Sequence, residues 1–221
     1  MMDAMIINKS ELHWDILGKK KVAVLPKLKF LKDRGFYLAG GTALALQIGH
    51  RLSADLDFCN PGIFDSEKIL DEFQKNSIHT VLIQKTENTL IAKIENINVS
   101  LFTYSYKLLN PLVITESLNL TSVEDIAAMK LIAIIQRGVR RDFIDLYFLI
   151  KLLGLKKIFQ LTKQKYPPFN EYLGLQALTY FADAEKTPKK RKIILFQPVE
   201  WEEIKKLIVI EVKKLKDGIK K

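Results

Sequence analysis

The chain has 221 residues, 48% of them hydrophobic and 27% charged, which is typical of a globular protein of one large domain or two small ones. Its net charge of +10 favours a polyanionic partner such as nucleic acid, although a basic surface can also serve solubility alone. The single Cys59 excludes an intramolecular disulfide. There is no signal-peptide core and no apolar run of roughly 18 residues, so we expect a cytoplasmic protein with no membrane partner.

The first half of the sequence predicts helices followed by a small sheet. Clusters of glycine, proline and asparagine separate the predicted elements. In chain order they are helices within residues 1–34, a strand over Phe36–Ala39, a helix over Thr42–Gly49, a strand over Ala54–Cys59, a helix over Asp65–Asn76, strands over Thr80–Gln84, Thr89–Ile94 and Ile97–Tyr104, and short strands over Leu112–Ile114 and near Leu118.

The second half predicts helices only, because its apolar residues recur at helical spacing. The predicted helices cover Ser122–Arg137, Arg141–Leu153, Ile158–Lys165, Glu171–Ala182 and Trp201–Lys216. We therefore predict an α+β fold, with a small mixed β-sheet and flanking helices followed by a helical C-terminal half. The predicted domains are residues 1–118 and residues 119–221, with the second completing the cleft.

The most informative segment covers residues 36–58, where a short strand, two glycines, a helix and a second strand follow one another. Gly40 and Gly41 lack a Cβ atom, so the backbone can approach a ligand closely, and the N–H groups that open the next helix form an anion site. Asp55 and Asp57 occupy alternate strand positions and point to one face, where they offer carboxylate oxygens to Mg²⁺. A phosphate cradle beside a metal pair is what nucleotidyl transfer needs.

Three polar residues near these groups are further candidates for nucleotide binding. Thr42 is expected to cap the helix that follows the glycines. Ser53 stands two residues before Asp55 and should face the same side. Arg51 offers a planar donor fork suited to a triphosphate, or it pairs with a neighbouring acid.

The GGT and D-x-D segments resemble the nucleotidyltransferase superfamily that includes DNA polymerase β. The stretch GGTALALQIGHRLSADLDF is more narrowly similar to the AbiEii/AbiGii toxin family, whose MenT-type members modify tRNA. A second block, SVEDIAAMK followed by RRDFIDLYFL, supports the same resemblance. The resemblance implies a toxin of a type IV-like toxin–antitoxin system, linked to phage defence. Its implied activity is transfer of NMP from an NTP to an acceptor, expected to be the tRNA 3′ end. Mg²⁺ or Mn²⁺ is the implied cofactor, and a cognate antitoxin is an implied partner.

Lys130, Asp142 and Asp145 are the candidate site residues of the second block. Lys130 lies on a largely apolar helix face, where a cation costs energy unless it has a partner. That partner is either a nucleotide phosphate or an acid of the next helix. Asp142 and Asp145 share a face, either as structural acids and ion-pair partners or as part of the site. The resemblance implies that this block lines the catalytic cleft.

One position departs from the superfamily pattern, in which a later strand carries a third carboxylate. The matching position here holds Ser100. Either Asp57 also acts as the base that activates the attacking hydroxyl, or Asp142 or Asp145 takes this role, or the chemistry is slow. Two other functions remain open: nucleotidyl or phosphoryl transfer to a small molecule or protein, and non-catalytic nucleic-acid binding.

The positive charge gathers late in the chain, in the cluster Lys189–Lys192 and in the tail Lys213–Lys221. These clusters predict contact with RNA phosphates, or they serve solubility alone.

Overall fold

A computed structural model describes residues 12–53, 55–186 and 193–219. The chain divides after Ser122 into two compact units, the first with a mixed sheet and the second helical. A short strand at Asn119–Leu120 belongs to the sheet of the first unit. The division therefore lies slightly later than the one predicted after residue 118.

The described part of the first unit contains helices around one sheet. Two 3-10 helices, Trp14–Leu17 and Leu25–Leu28, flank the first α-helix. The α-helices are α1 (Gly18–Val24), α2 (Lys29–Asp33), α3 (Gly40–Ile48) and α4 (Ser66–Lys75). The strands are β1 (Tyr37–Leu38), β2 (Leu56–Asn60), β3 (Thr80–Thr86), β4 (Thr89–Ile94), β5 (Ile97–Thr103), β6 (Val113–Ile114) and β7 (Asn119–Leu120).

The strands form one mixed sheet in the order β3-β4-β5-β2-β1-β7-β6. β2 runs parallel to β5, and β1 runs parallel to β7, whereas the other neighbours are antiparallel. Glu95 and Asn96 join β4 to β5 with φ angles of 49° and 65°, the left-handed backbone that a two-residue hairpin turn with matching twist requires. The predicted mixed sheet with flanking helices is confirmed.

The two faces of the sheet differ in polarity. One face packs into the core because apolar residues alternate along the strands, which places Leu56 and Phe58 of β2 and Val99 and Leu101 of β5 below 2% exposure. The opposite face is more open. It carries the partly buried or exposed side chains of Asp57, Ile91, Lys93, Asn98 and Ser100.

The described part of the second unit is made of helices. They are α5 (Val123–Arg137), α6 (Arg140–Leu153), α7 (Leu155–Lys165), α8 (Glu171–Ala177), α9 (Ala182–Lys186) and α10 (Trp201–Ile219). The helix predicted over Glu171–Ala182 is thus wrong as one element. At its break, the Thr179 hydroxyl donates to the Gln176 carbonyl at 3.0 Å and so satisfies a helix-end acceptor.

α6 is the central helix of this unit. Every residue from Asp142 to Ile150 is buried, so the helix presents apolar side chains all round rather than along one stripe. The two acids of α6, Asp142 and Asp145, are both 0% exposed. A carboxylate at such a depth needs a cationic partner, and α5 supplies one.

Candidate functional site

The two glycines open α3 directly beside the strand that carries the acids. The Ala39 N–H donates to the Asp57 carbonyl at 2.8 Å, which ties the turn to β2. Gly40 has a φ of +65°, and a Cβ atom built on it would lie 3.7 Å from Asp57 Oδ2. Glycine is favoured here because the left-handed backbone strains other residues. The backbone of the turn therefore faces the Asp57 side chain.

Thr42 does not cap α3 as predicted. The helix begins two residues earlier, at Gly40, and its cap residue Ala39 makes no side-chain cap hydrogen bond. The buried Thr42 hydroxyl instead lies 2.6 Å from Ser53 Oγ and donates to the carbonyl of Asp55. Thr42 and Ser53 thus hold the segment that carries Asp55 in place.

Asp55 and Asp57 flank the first residue of β2. The strand begins at Leu56 rather than at the predicted residue 54, so only Asp57 lies within it. Both acids are partly buried. Asn98 Nδ2 donates to Asp55 Oδ1 at 2.9 Å and orients that carboxylate. Asn98 belongs to no sequence motif, and only the β2–β5 register reveals its position beside Asp55.

Ser100 lies beside Asp57. The parallel register of β2 and β5 pairs Asp57 with Ser100, and partners in such a register point to the same face. Within the described ranges, no three His, Cys, Asp or Glu side chains form a metal-ligand group. Asp55 and Asp57 still suit Mg²⁺, which is commonly held by one or two carboxylates plus substrate phosphates.

Two basic side chains are associated with Asp55. Arg51 is close to it in the sequence, and Lys21 interacts with it electrostatically. Arg51 is 7% exposed, and its Nη1 donates to the Leu52 carbonyl at 3.0 Å. Lys21 of α1 donates to the Leu17 carbonyl at 3.1 Å. Burial lowers the pKa of Lys21, and the negative charge of Asp55 partly opposes this shift. Lys21 belongs to no sequence motif, so its interaction with Asp55 becomes visible only in the structure.

In the second unit, Lys130 joins the two buried acids of α6. Its Nζ lies 2.8 Å from Asp142 Oδ1 and 2.6 Å from Asp145 Oδ2. Arg137 binds Asp142 with two contacts, Nε to Oδ2 at 2.8 Å and Nη2 to Oδ1 at 3.1 Å. Of the two partners open to Lys130 in the sequence analysis, the structure shows the acids of the next helix.

The ion pairs control the charge state of Asp142. Burial acts to raise the pKa of this carboxyl, but Lys130 and Arg137 outweigh burial and hold the pKa below its usual range. Asp142 therefore stays ionised at neutral pH and is a weak proton acceptor.

A second buried ion pair was not predicted. Lys165 Nζ of α7 lies 2.6 Å from Asp125 Oδ1 of α5, and both side chains are 0% exposed. Neither residue stood out in the sequence, because a lysine near a helix end usually faces solvent. α5 thus carries two buried polar groups, Asp125 and Lys130.

The structure brings Gly40, Gly41, Thr42, Ser53, Asp55 and Asp57 together in the first unit, and Lys130, Asp142 and Asp145 together in the second. The predicted basic cluster Lys189–Lys192 lies outside the described residues. Of the tail cluster, Lys213, Lys214 and Lys216 lie on α10. Each helix in the described part of the chain is too short or too polar to cross a membrane.

The mixed sheet with its flanking helices has the fold of nucleotidyltransferases. JHP933 from Helicobacter pylori has a TM-score of 0.55 and is 20% identical, over 95% of this chain and 98% of that one. MenT4, a nucleotidyltransferase toxin from Mycobacterium tuberculosis, has a TM-score of 0.55 and is 18% identical, over 89% of this chain and 82% of that one.

Sequence comparison identifies the family. An uncharacterised protein of Aquifex aeolicus is 38% identical over 186 residues, which cover 80% of this chain and 86% of that protein. The family model described as nucleotidyl transferase AbiEii toxin, type IV TA system, matches residues 28–213. The chain belongs to this family of nucleotidyltransferase toxins.

Proposed function

We propose that the protein transfers a nucleoside monophosphate from an NTP to an RNA acceptor, the 3′ end of tRNA, and releases pyrophosphate. The observation that carries this proposal is the approach of the Gly40 backbone to Asp57 Oδ2, with Asp55 two residues before Asp57. A backbone anion site and paired carboxylates are the two parts that bind a nucleotide phosphate together with its cation.

Asp55 and Asp57 would hold Mg²⁺ or Mn²⁺ with their carboxylate oxygens. Once bound, the ion would neutralise phosphate charge and orient the reacting phosphate. Asn98 would keep Asp55 in position through its 2.9 Å hydrogen bond. The N–H groups of Gly40, Gly41 and Thr42 would receive phosphate oxygens at the start of α3.

The cations of the site would neutralise the triphosphate. Arg51 and Lys21 are the candidates in the first unit, and Ser53 supports the segment that leads to Asp55. In the second unit, the Lys130 ammonium has three N–H donors, of which Asp142 and Asp145 take two. Lys130 remains our candidate for a contact to an NTP phosphate, in addition to its ion pairs.

Asp57 is our candidate for the base that accepts the proton of the attacking hydroxyl. Asp142 contacts two cations and keeps a low pKa, which makes it a weak base. Asp145 is fully buried against Lys130. Asp57 is partly exposed and lies beside Ser100, where other members of the superfamily carry a further acid. One carboxylate would then both bind the ion and accept the proton.

The charge distribution supports a polyanionic acceptor. After Ser122 the chain holds 21 of its 35 Lys and Arg residues but only 12 of its 25 Asp and Glu residues, so this part carries +9 of the net charge of +10. The first unit is nearly neutral. A strongly basic helical unit attached to a neutral sheet unit suits an RNA acceptor better than a small molecule.

The test is incorporation of label from each α-³²P-NTP into total tRNA. Asp57→Ala should abolish incorporation while leaving the melting temperature nearly unchanged, because Asp57 is only partly buried. Asp71→Ala, at an exposed acid of α4, is the matched control and should keep full activity. Full activity of Asp57→Ala with Mg²⁺ present would refute the proposed metal site. Labelling of a small molecule instead of tRNA would refute tRNA as the acceptor.

A further inference from the structure

An open groove of about 480 Å³ lies between α8 and α10 of the second unit. On one side it is lined by Tyr172, Leu175 and Thr179, and on the other by Val209, Val212, Lys213 and Lys216. None of these residues belongs to the proposed nucleotide site.

The lining residues follow helical spacing on both sides. Tyr172 and Leu175 are one helical turn apart on α8, and Thr179 follows the end of that helix. The α10 residues 209, 212, 213 and 216 stand at i, i+3, i+4 and i+7. The α10 side therefore presents a single face over two turns, and the α8 side presents one turn of helix. A groove with two such walls is the form that receives the apolar face of an amphipathic helix.

The groove combines a buried apolar floor with exposed apolar edges. Leu175 and Val212 form the floor, at 6% and 2% exposure. Tyr172 and Val209 stand above it, at 66% and 44% exposure. Covering these two side chains would remove apolar surface from water, which favours association.

The rim of the groove is basic. Lys213 and Lys216 line it, and in the described part of the chain neither has a carboxylate within ion-pair distance. Asp217 is the acid that also lines the groove. The part of the chain that follows Ser122 carries +9. Charge complementarity therefore selects an acidic occupant and disfavours a second copy of this basic helix.

We propose that the α8–α10 groove binds an acidic amphipathic helix of a partner protein. Apolar side chains of that helix, spaced at i, i+3, i+4 and i+7, would lie on Leu175 and Val212. Its flanking Glu or Asp residues would face Lys213 and Lys216. The aliphatic floor offers a nucleobase no hydrogen-bonding partner, which favours a protein helix over RNA. The partner would cover Lys213 and Lys216, which we assign to RNA binding. The partner protein and RNA would therefore compete for this surface.

The probe is a fluorescein-labelled helical peptide with leucines at i, i+3, i+4 and i+7 and flanking glutamates, measured by anisotropy against the full-length protein. It should bind at least tenfold more tightly than a scrambled peptide of the same composition. Tyr172→Ser or Val209→Ser should weaken binding at least tenfold. Leu173→Ser and Ile210→Ser are matched controls, because these neighbours are 53% and 42% exposed and do not line the groove. They should bind as the unchanged protein does.

A charge reversal tests the rim independently of the floor. The double variant Lys213→Glu with Lys216→Glu should reject the glutamate peptide and bind a lysine-flanked version instead. Equal binding of ordered and scrambled peptides would overturn the proposal, since attraction would then depend on charge alone. If Tyr172→Ser and Val209→Ser weaken tRNA binding at least tenfold but leave peptide binding unchanged, the groove is an RNA surface and the proposal fails.

Discussion

A single ammonium group, that of Lys130, serves two carboxylates in the core of the second unit. Lys130 is 5% exposed, and Asp142 and Asp145 are fully buried. Removing one partner of such a buried group is costly, because the remaining charge keeps its desolvation penalty. The stability of this unit and the proposed phosphate contact therefore depend on the same side chain, and one substitution should report on both.

Lys130→Ala should lower the free energy of unfolding by about 3–5 kcal/mol, because it removes the cation between two buried acids. Urea denaturation measures this change. Under conditions where the variant remains folded, NTP affinity should also fall at least tenfold.

Two comparisons separate these effects. Asp145→Asn keeps the ammonium and should retain NTP affinity despite reduced stability. Lys157→Ala, at an exposed lysine of α7, should change neither quantity. Unchanged NTP affinity in folded Lys130→Ala would contradict the phosphate role and leave a purely structural ion pair.

The lowered pKa of Asp142 predicts how the free energy of unfolding responds to acid. Its pKa is lowered in the folded protein, where burial is outweighed by Lys130 and Arg137. The folded state therefore binds this proton only at a lower pH than the unfolded state does. The stabilisation is fully present above the unfolded pKa of about 3.9 and is lost as pH falls through the folded value. Unfolding measured from pH 6 to pH 2 should show a shallower acid-side loss in Asp142→Asn, and an unaltered slope would contradict the ion-pair assignment.

Among the helices, α5 forms buried ion pairs with two of its neighbours. Lys130 contacts α6, and Asp125 contacts Lys165 of α7. Replacing a buried ion pair with apolar residues of similar volume is often neutral or stabilising, so we expect these pairs to constrain the arrangement of the helices more than they add stability. A fixed α5 in turn keeps Lys130 in one place.

The Asp125–Lys165 pair should be replaceable by apolar residues. The double variant Asp125→Leu with Lys165→Met should have the same free energy of unfolding as the unchanged protein, or one that is higher by up to about 1–4 kcal/mol. Lys165→Met alone should cost about 3–5 kcal/mol, because it removes the ammonium that the buried carboxylate contacts. Guanidinium denaturation gives both values. If the single and double variants lose equal stability, the loss in Lys165→Met does not come from removing the cation that Asp125 contacts.

The elements that the sequence predicts well are those with local signals. The β4–β5 hairpin follows from alternating apolar residues and the Glu95–Asn96 turn. The Gly-Gly turn and the D-x-D pattern mark segments that the structure brings close together. Contacts between distant elements were not predicted. The Lys165–Asp125 pair needs the packing of α7 on α5, and Asn98 needs the β2–β5 register.

Thr42 shows a different failure of local reasoning. The capping rule placed the start of the helix at the first residue with a side-chain oxygen. The glycines extend α3 by two residues towards its N-terminus, and the hydroxyl is used by Ser53 and the Asp55 carbonyl instead. A tertiary contact thus overrides the local preference at a position next to the proposed site.

For the whole molecule, the unequal distribution of charge bears most directly on the acceptor. A polyanion approaching the protein would meet the basic part that follows Ser122 and carries +9 rather than the nearly neutral first unit. Contacts to phosphates release counterions, so the affinity for a nucleic acid bound through its phosphates should fall steeply with salt. This behaviour separates an RNA acceptor from a small one.

Replacing Lys213, Lys214 and Lys216 with Gln should weaken tRNA affinity and flatten its salt dependence. Each phosphate contact that is lost should reduce the log–log salt slope by about 0.7–0.9. The same result is expected for Gln at Lys189, Lys190, Arg191 and Lys192. Filter binding between 50 and 200 mM KCl measures both quantities, and NTP affinity should stay unchanged. Gln at Lys29, Lys68 and Lys75, exposed lysines of the first unit, removes the same charge as the triple variant of α10 and should leave the slope unaltered. If both lysine clusters prove dispensable, or if tRNA does not bind at 100 mM salt, RNA is not the acceptor. The proposed metal site at Asp55 and Asp57 would then serve another substrate.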